Sequence, residues 1–434
     1  MLEKILSHYE ENDRPVLDVG VLEPEGGTLV FLLTEGTTSA VYLTGAEGPA
    51  RDFLEEGIHV RAGQSLRASR VLDQLDWINR HAFRSARVLT SPGELPGEAE
   101  LLFQVQEENP WSVSLGYENE GNPGASGHRS FLAGSLLLPG QDWLSWQLTV
   151  GESWRELHSF GLVYDRPFAA SHHHLRFSAL YAGLERSDGV SRAGGESFLL
   201  SAEYGIPLAR RSSFRHEFKV GIDLKMMDNF FLFQNVPLPL SDVTVLQGRF
   251  GYQGFWEGNK QSLGFSLASV FSPGGLLSNN DDVDFEAYRP GADSSYFYFV
   301  GRLDYERELA RDWFVRVRAE GQWSAEPLLP TEQFLLGGVR RGRGVREARF
   351  LGDSGGFLSS ELRSPTSKVG RWQGQGLTFV EAGWVDQDFQ SDELFSVGLG
   401  LRVEWNDWLA LRVDQAWELD SGESRLHFGC TLTW

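Results

Sequence analysis

The chain has 434 residues, with 39 Lys and Arg against 60 Asp and Glu, so its net charge is −21. That balance argues against a nucleic-acid binder, which carries a basic face, and 41% hydrophobic residues argue against disorder. The single cysteine, Cys430, rules out an internal disulfide and a cysteine-cluster metal site. No run of about 18 apolar residues is present, which removes helical membrane proteins but not β-barrels, whose strands are apolar on one face only.

Residues 1–109 mix helix and strand signals. Residues 1–11 have helical spacing, with Leu2, Ile5, Leu6 and Tyr9 on one face. They lack the basic start and apolar core of a signal peptide. Strand-like runs follow at 15–22, 27–34 and 38–45. A charged helical stretch covers 50–56, and 65–80 reads as a second helix with Leu66, Val71, Leu72, Leu75 and Ile78 as its apolar stripe. Strands at 85–90 and 98–106 close a small α+β unit, a sheet with two helices on one face.

After Pro110 the helical signal disappears. Period-2 segments separated by Gly, Pro, Asn, Asp and Ser take its place. In 214–224, Phe214, His216, Phe218, Val220, Ile222 and Leu224 oppose Arg215, Glu217, Lys219, Gly221 and Asp223. The segments 143–150, 315–323, 397–405 and 426–434 alternate in the same way. A soluble sandwich and a membrane barrel both give this pattern. About sixteen antiparallel segments, roughly one per 20 residues, favour the barrel, as do aromatics at strand ends (Trp143, Trp146, Trp154, Phe255, Trp256, Trp405, Trp408, Trp417). A solenoid would show a fixed repeat, and none is seen. In a barrel the polar set, including Arg215, Lys219, Arg316, Arg318, Arg402 and Arg412, lines the lumen. The last strand points Phe428, Cys430, Leu432 and Trp434 at lipid.

The densest unusual run holds Gly337-Gly338, then Gly342-Arg343-Gly344-Val345, then Gly352-Asp353-Ser354-Gly355-Gly356. With Phe379-Val380-Glu381-Ala382-Gly383 and the segment Glu118, Asn119, Gly121, Gly127 and Arg129, it resembles the Omp85 superfamily, and within it the two-partner-secretion transporters (TpsB, exporters of haemolysins and haemagglutinins). In that family a loop after the eleventh strand folds back into the barrel. Its tip carries Val-Arg-Gly-Phe/Tyr after a Gly-Gly, and a Gly-Asp-x-Gly follows. Here Arg343 and Gly344 match, while Gly342 and Val345 depart. The resemblance implies an inward loop over about 331–353. It also implies a lumen-facing carboxylate on a later strand that pairs with the tip arginine; Glu381, flanked by Phe379 and Gly383, stands where the family has Asp. A guanidinium in a polar lumen suits such a bidentate partner.

The resemblance further implies a POTRA module over 37–109 and the end of a preceding copy over 1–36. A signal peptide and the rest of that copy would then precede this chain. The barrel, residues 110–434, would lie in the bacterial outer membrane with the POTRA segment in the periplasm, and the C-terminal Phe428, Leu432 and Trp434 would direct it there through the barrel-assembly machinery. The expected function is export of a partner exoprotein, of adhesin or haemolysin type, by a monomer. The client would bind at the POTRA sheet edge near Val88 and Leu102. No catalytic residue, cofactor or metal is expected. A barrel-assembly insertase of the same superfamily and a passive porin are the alternatives.

Other motifs have plainer readings. Gly352–Gly356 spells a serine-protease signature, but no histidine segment or disulfide accompanies it, and a tight turn re-entering a strand explains it. His172, His173 and His174 are adjacent and cannot converge on one ion in a strand, so they read as a polar turn. Asp281, Asp282 and Asp284 read as an acidic outer loop rather than a calcium site. Arg340, Arg341, Arg343, Arg346 and Arg349 fit a loop lying in an acidic lumen.

Overall fold

The computed structural model describes all residues except 1, 12, 23–29, 122–125, 188–190, 234–235, 239–241 and 388–389. The strand expected over 27–34 therefore begins outside the described residues. The N-terminal part opens with α1 (Leu2–Glu11) and the antiparallel pair β1 (Val16–Leu22) and β2 (Val30–Glu35). A compact unit follows: β3 (Thr37–Thr44), α2 (Gly48–Gly57), α3 (Ala68–Asn79), β4 (Arg84–Pro92) and β5 (Glu98–Glu107). Its sheet has the order β3-β5-β4, with β5 parallel to β3 and antiparallel to β4. Alternation in β5 buries Ala99, Leu101, Phe103 and Val105. Helical spacing in α3 brings Val71, Trp77 and Ile78 onto that face. The opposite face of the sheet is open, and Tyr42, Leu102 and Leu89 form a row across it. Leu102 lies on the central strand, so the sheet edges are β3 and β4, not the position near Leu102 that the sequence suggested. This α+β segment is POTRA-like, as expected.

The remainder is the expected barrel. Its strands are β6 (Trp111–Glu118), β7 (Arg129–Leu137), β8 (Trp143–Val150), β9 (Leu157–Pro167), β10 (His174–Ser187), β11 (Ser191–Arg211) and β12 (Phe214–Phe233). There follow β13 (Val236–Leu238), β14 (Val243–Gly258), β15 (Gln261–Pro273), helix α4 (Asp282–Tyr288), β16 (Ser295–Glu308) and β17 (Phe314–Ser324). The last part holds β18 (Phe334–Leu336), β19 (Phe350–Gly352), β20 (Ser354–Arg363), β21 (Ser367–Val369), β22 (Trp372–Gln387), β23 (Gln390–Trp405), β24 (Leu409–Glu418) and β25 (Ser424–Thr433). The short β13 and β21 are hairpin arms beside β12 and β22, and β18 pairs only with β19, so sixteen strands close the barrel. No described helix is long and apolar enough to cross a membrane; the strands do so. Phe218, Val220 and Ile222 are exposed on the outer face of β12, while Glu217 and Asp223 are buried inside.

The closing seam, β25 against β6, is short: residues 114–118 pair with 429–433. Asn119 extends it. Its side chain donates to Leu426 O at 2.9 Å and accepts from Phe428 N at 2.6 Å, imitating two more ladder bonds.

Two further expectations need correction. Helix does recur after Pro110: α4 is capped by Asp281, whose carboxylate accepts from Val283 N and Asp284 N, so the acidic run is a helix start. Seven residues are too few to show a helical period. Phe255 and Trp143 are not girdle aromatics, because both turn inward at the mouth of the barrel.

Candidate functional site: the inward loop and the covered mouth

Residues 325–353, after the eleventh strand β17, turn back into the lumen. The β18–β19 pair forms the stem of this loop. Glycine shapes the tip: Gly337, Gly338 and Gly342 have φ of 115°, 81° and 123°, which side chains disfavour. A Cβ on Gly342 would also strike Leu394, and one on Gly344 would lie 2.7 Å from Ser396 Oγ. The family's valine would thus not fit at 342 in this backbone. Val345, where the family has an aromatic, is buried with Phe334, Leu336, Phe357, Val385 and Leu394. A smaller side chain there is matched by a surrounding apolar cluster.

Arg343 sits at the centre of the site and is 4% exposed. Its Nε donates to Glu381 Oε1 at 2.8 Å, its backbone N–H to Glu381 Oε2 at 2.7 Å, and its Nη2 to Glu361 Oε1 at 2.8 Å. Asp414 lies 3.8 Å from Nη1. The guanidinium carbon stands 3.4 Å from the Phe379 ring centroid, a cation–π contact. The Arg343 carbonyl accepts from His427 Nε2 at 2.7 Å. Glu361 is also bonded by Arg363, and Asp414 by Arg402. Three guanidiniums therefore face three carboxylates, on the twelfth to fifteenth strands and the loop, and the cluster is neutral. Gly383 closes this wall: a Cβ there would lie 2.5 Å from Leu336.

The other lumen residues named from sequence also point inward and are paired. Lys219 meets Glu203 at 2.9 Å, Arg316 meets Asp304 at 3.4 Å, Arg318 meets Glu320 at 3.5 Å, and Arg412 is in ion-pair contact with Glu120. Arg215 lies over the Phe255 ring at 4.3 Å. The inward His427 puts Phe428, Cys430, Leu432 and Trp434 on the outer face, by alternation. Asp353 does not form a tight turn. It is a buried bend between β19 and β20, and Gly355 packs beneath Phe334.

The α+β unit covers one mouth of the barrel. His172, in the turn between β9 and β10, stacks on His59 at 4.4 Å and on Trp77 at 4.6 Å, and its Nε2 donates to Gly57 O at 2.7 Å. His81 accepts from Phe83 N and donates from Nε2 to Gln141 O. Arg210 binds Asp73 and Asp76 of α3, and Ala169 enters the unit's own core. A cavity of 810 Å³ lies between the unit and the rim, lined by Arg80, His174, Arg215 and Glu217 among others. The polar turn read from sequence at the three adjacent histidines is thus present, and its His172 is a docking contact. His173 turns instead to Tyr204, and His174 to Arg80.

Burial pushes His81 and His172 down to about 4; Arg84 adds to this for His81, while the Gly57 bond opposes it for His172. The docked state holds both rings neutral. An undocked, solvated ring would bind its proton near pH 6.5, so the joint is intact above that value and weakens as pH falls toward 4. Spin labels on Glu55 and on the β14–β15 turn should show a broadened distance distribution below about pH 5. A distribution unchanged down to pH 4 would contradict this.

The family model described as haemolysin secretion/activation protein ShlB/FhaC/HecB matches residues 97–403. The heme/hemopexin transporter protein HuxB of Haemophilus influenzae (strain 86-028NP) is 23% identical over 388 residues, covering 82% of this chain and 64% of its own length. The outer membrane transporter CdiB of Escherichia coli O6:K15:H31 (strain 536 / UPEC) is 24% identical over 409 residues, covering 87% of this chain and 65% of its own. The chain thus spans just under two thirds of the length of these two relatives. The solved structure of CdiB from Escherichia coli superposes with a TM-score of 0.84 at 16% identity, over 100% of this chain and 83% of that one, and so shares the fold.

Proposed function

The chain belongs to the haemolysin secretion/activation protein family ShlB/FhaC/HecB, and from that premise we propose that it exports a partner exoprotein across the bacterial outer membrane. The α+β unit, a POTRA module over 37–109, lies in the periplasm in this reading. An unfolded segment of the client adds as a strand to β3 or β4 of the module. The chain then passes the covered mouth and the paired polar wall. Opposite charges in balance let an extended polypeptide slide without a deep trap. The loop around Arg343 closes the lumen at rest, and Glu381 anchors it. Folding of the client outside draws it through.

One observation carries this reading: the tip of a loop inside the barrel is seated by the buried Arg343 among Glu361, Glu381 and Asp414. A passive pore has no use for a covered mouth together with a seated loop. Deleting the gene should remove one large protein from the culture medium and leave other outer-membrane barrels unchanged. Loss of many barrels instead would support an assembly insertase. The short seam at 114–118 and 429–433 is the feature that favours that second reading.

A further inference from the structure

Away from the tip motif, the inward loop is also held at its root. At its root, Asp353 receives Arg289 Nη2 at 2.8 Å on Oδ2, and Arg289 Nη1, Leu328 N at 2.8 Å and Gln333 Nε2 at 3.1 Å on Oδ1. Arg289 and Asp353 are 7% and 9% exposed. Arg289 Nη1 also donates to Leu328 O, which ties the descending arm of the loop into the same knot. Beside it Glu332, whose side chain is fully buried, meets Lys225 of β12 at 2.6 Å and Tyr298 of β16 at 2.8 Å. Phe285, Tyr296, Leu328 and Leu329 shut water out.

Arg289 does not belong to the loop. It follows α4 in the neighbouring outer hairpin, residues 274–294. We infer that Arg289 is a positioning residue that latches the root of the inward loop to this hairpin, so that the loop leaves the lumen only when the hairpin gives way. The inference rests on the export reading for its purpose, since a moving loop matters only to a gated pore. Its physical basis is separate. A buried carboxylate that loses a bidentate guanidinium keeps its charge with no cation to balance it and only two neutral donors, Leu328 N and Gln333 Nε2, and the nearest escape is outward movement of the bend that carries it. Lysine could occupy one oxygen but not both.

The test uses the full chain in detergent micelles, where trypsin reaches both ends of the barrel. The loop carries Arg340, Arg341, Arg346 and Arg349 as cleavage points, and the exposed turn at Arg311 serves as a control outside the loop. Arg289→Gln should speed cleavage in the loop about tenfold or more, with cleavage after Arg311 unchanged. Arg289→Lys should fall between it and the wild type. Asp353→Asn combined with Arg289→Gln should add little to either alone, as expected for partners in one contact. Heat-modifiable migration in SDS reports barrel assembly. If Arg289→Gln does not assemble, the lysine variant decides. Wild-type cleavage of an assembled Arg289 variant, with Arg343→Gln cleaved faster, would overturn the latch; so would equal acceleration at Arg311. Neither result bears on export, which the secreted protein alone decides.

Discussion

Arg343→Ala is expected to cut partner export at least about tenfold while the barrel still assembles. The variant removes one cation from a neutral cluster and leaves Glu361 and Glu381 facing each other across the vacated site, with Asp414 held only by Arg402. Breaking a buried pair by deleting one partner costs about 3–5 kcal/mol. The loop also loses its cation–π contact with Phe379. The seated position should therefore lose most of its advantage, and the tip should dwell away from the wall. Arg343→Lys should recover part of the effect, because an ammonium can meet one carboxylate but cannot serve Glu381 and Glu361 in the observed geometry. Quantifying the exported protein in the medium, with single-channel conductance of the purified barrel, checks both. Normal export with unchanged conductance would remove the anchoring role assigned to Glu381.

Trp77→Ala should strongly destabilise the α+β unit and leave the barrel intact. Trp77 is 6% exposed, stacks on Phe53 at 5.4 Å, and forms one side of the His172 contact with the rim. Gly57 is glycine because the indole fills the place its Cβ would take. Truncating a buried tryptophan costs about 3–5 kcal/mol, a large share of the ~5–15 kcal/mol that holds an ordinary domain together. The same change dissolves the seat of His172. Hydrogen exchange should show amides of β5 exchanging at least about a hundredfold faster while those of β22 and β23 stay protected. Export should fall, because the docking edges are lost whenever the sheet opens. Protected β5 amides in the variant would show that the core does not depend on this residue.

Much of this architecture was legible along the chain, because a barrel writes its two environments into alternate positions. Phe218 and Val220 against Glu217 and Lys219 is a local pattern, and local patterns survive in a sequence. The Arg343–Glu381 contact was legible for another reason: the family resemblance supplied a pairing between residues 38 apart. Arg289 had no such signal. It sits after a seven-residue helix, and its partner is 64 positions away across two strands. The turn at His172 was legible but its docking role was not, because adjacent histidines exclude a shared metal and say nothing about docking. Its meaning depends on Trp77 and His59, which reach it only when the unit closes on the rim. Trp143 and Phe255 were misplaced because an aromatic at a strand end suits a lipid interface and a barrel mouth equally, and the facing depends on register.

In dedicated export the α+β unit receives one partner. Photo-crosslinkers at Leu89 on β4 and Tyr42 on β3, both half exposed on the edge strands, would test it in the native host. The expected result is capture of one large exported protein, lost when Trp77→Ala is introduced. Capture of an assortment of outer-membrane barrels, or of none at all from a correctly inserted protein, would contradict dedicated export.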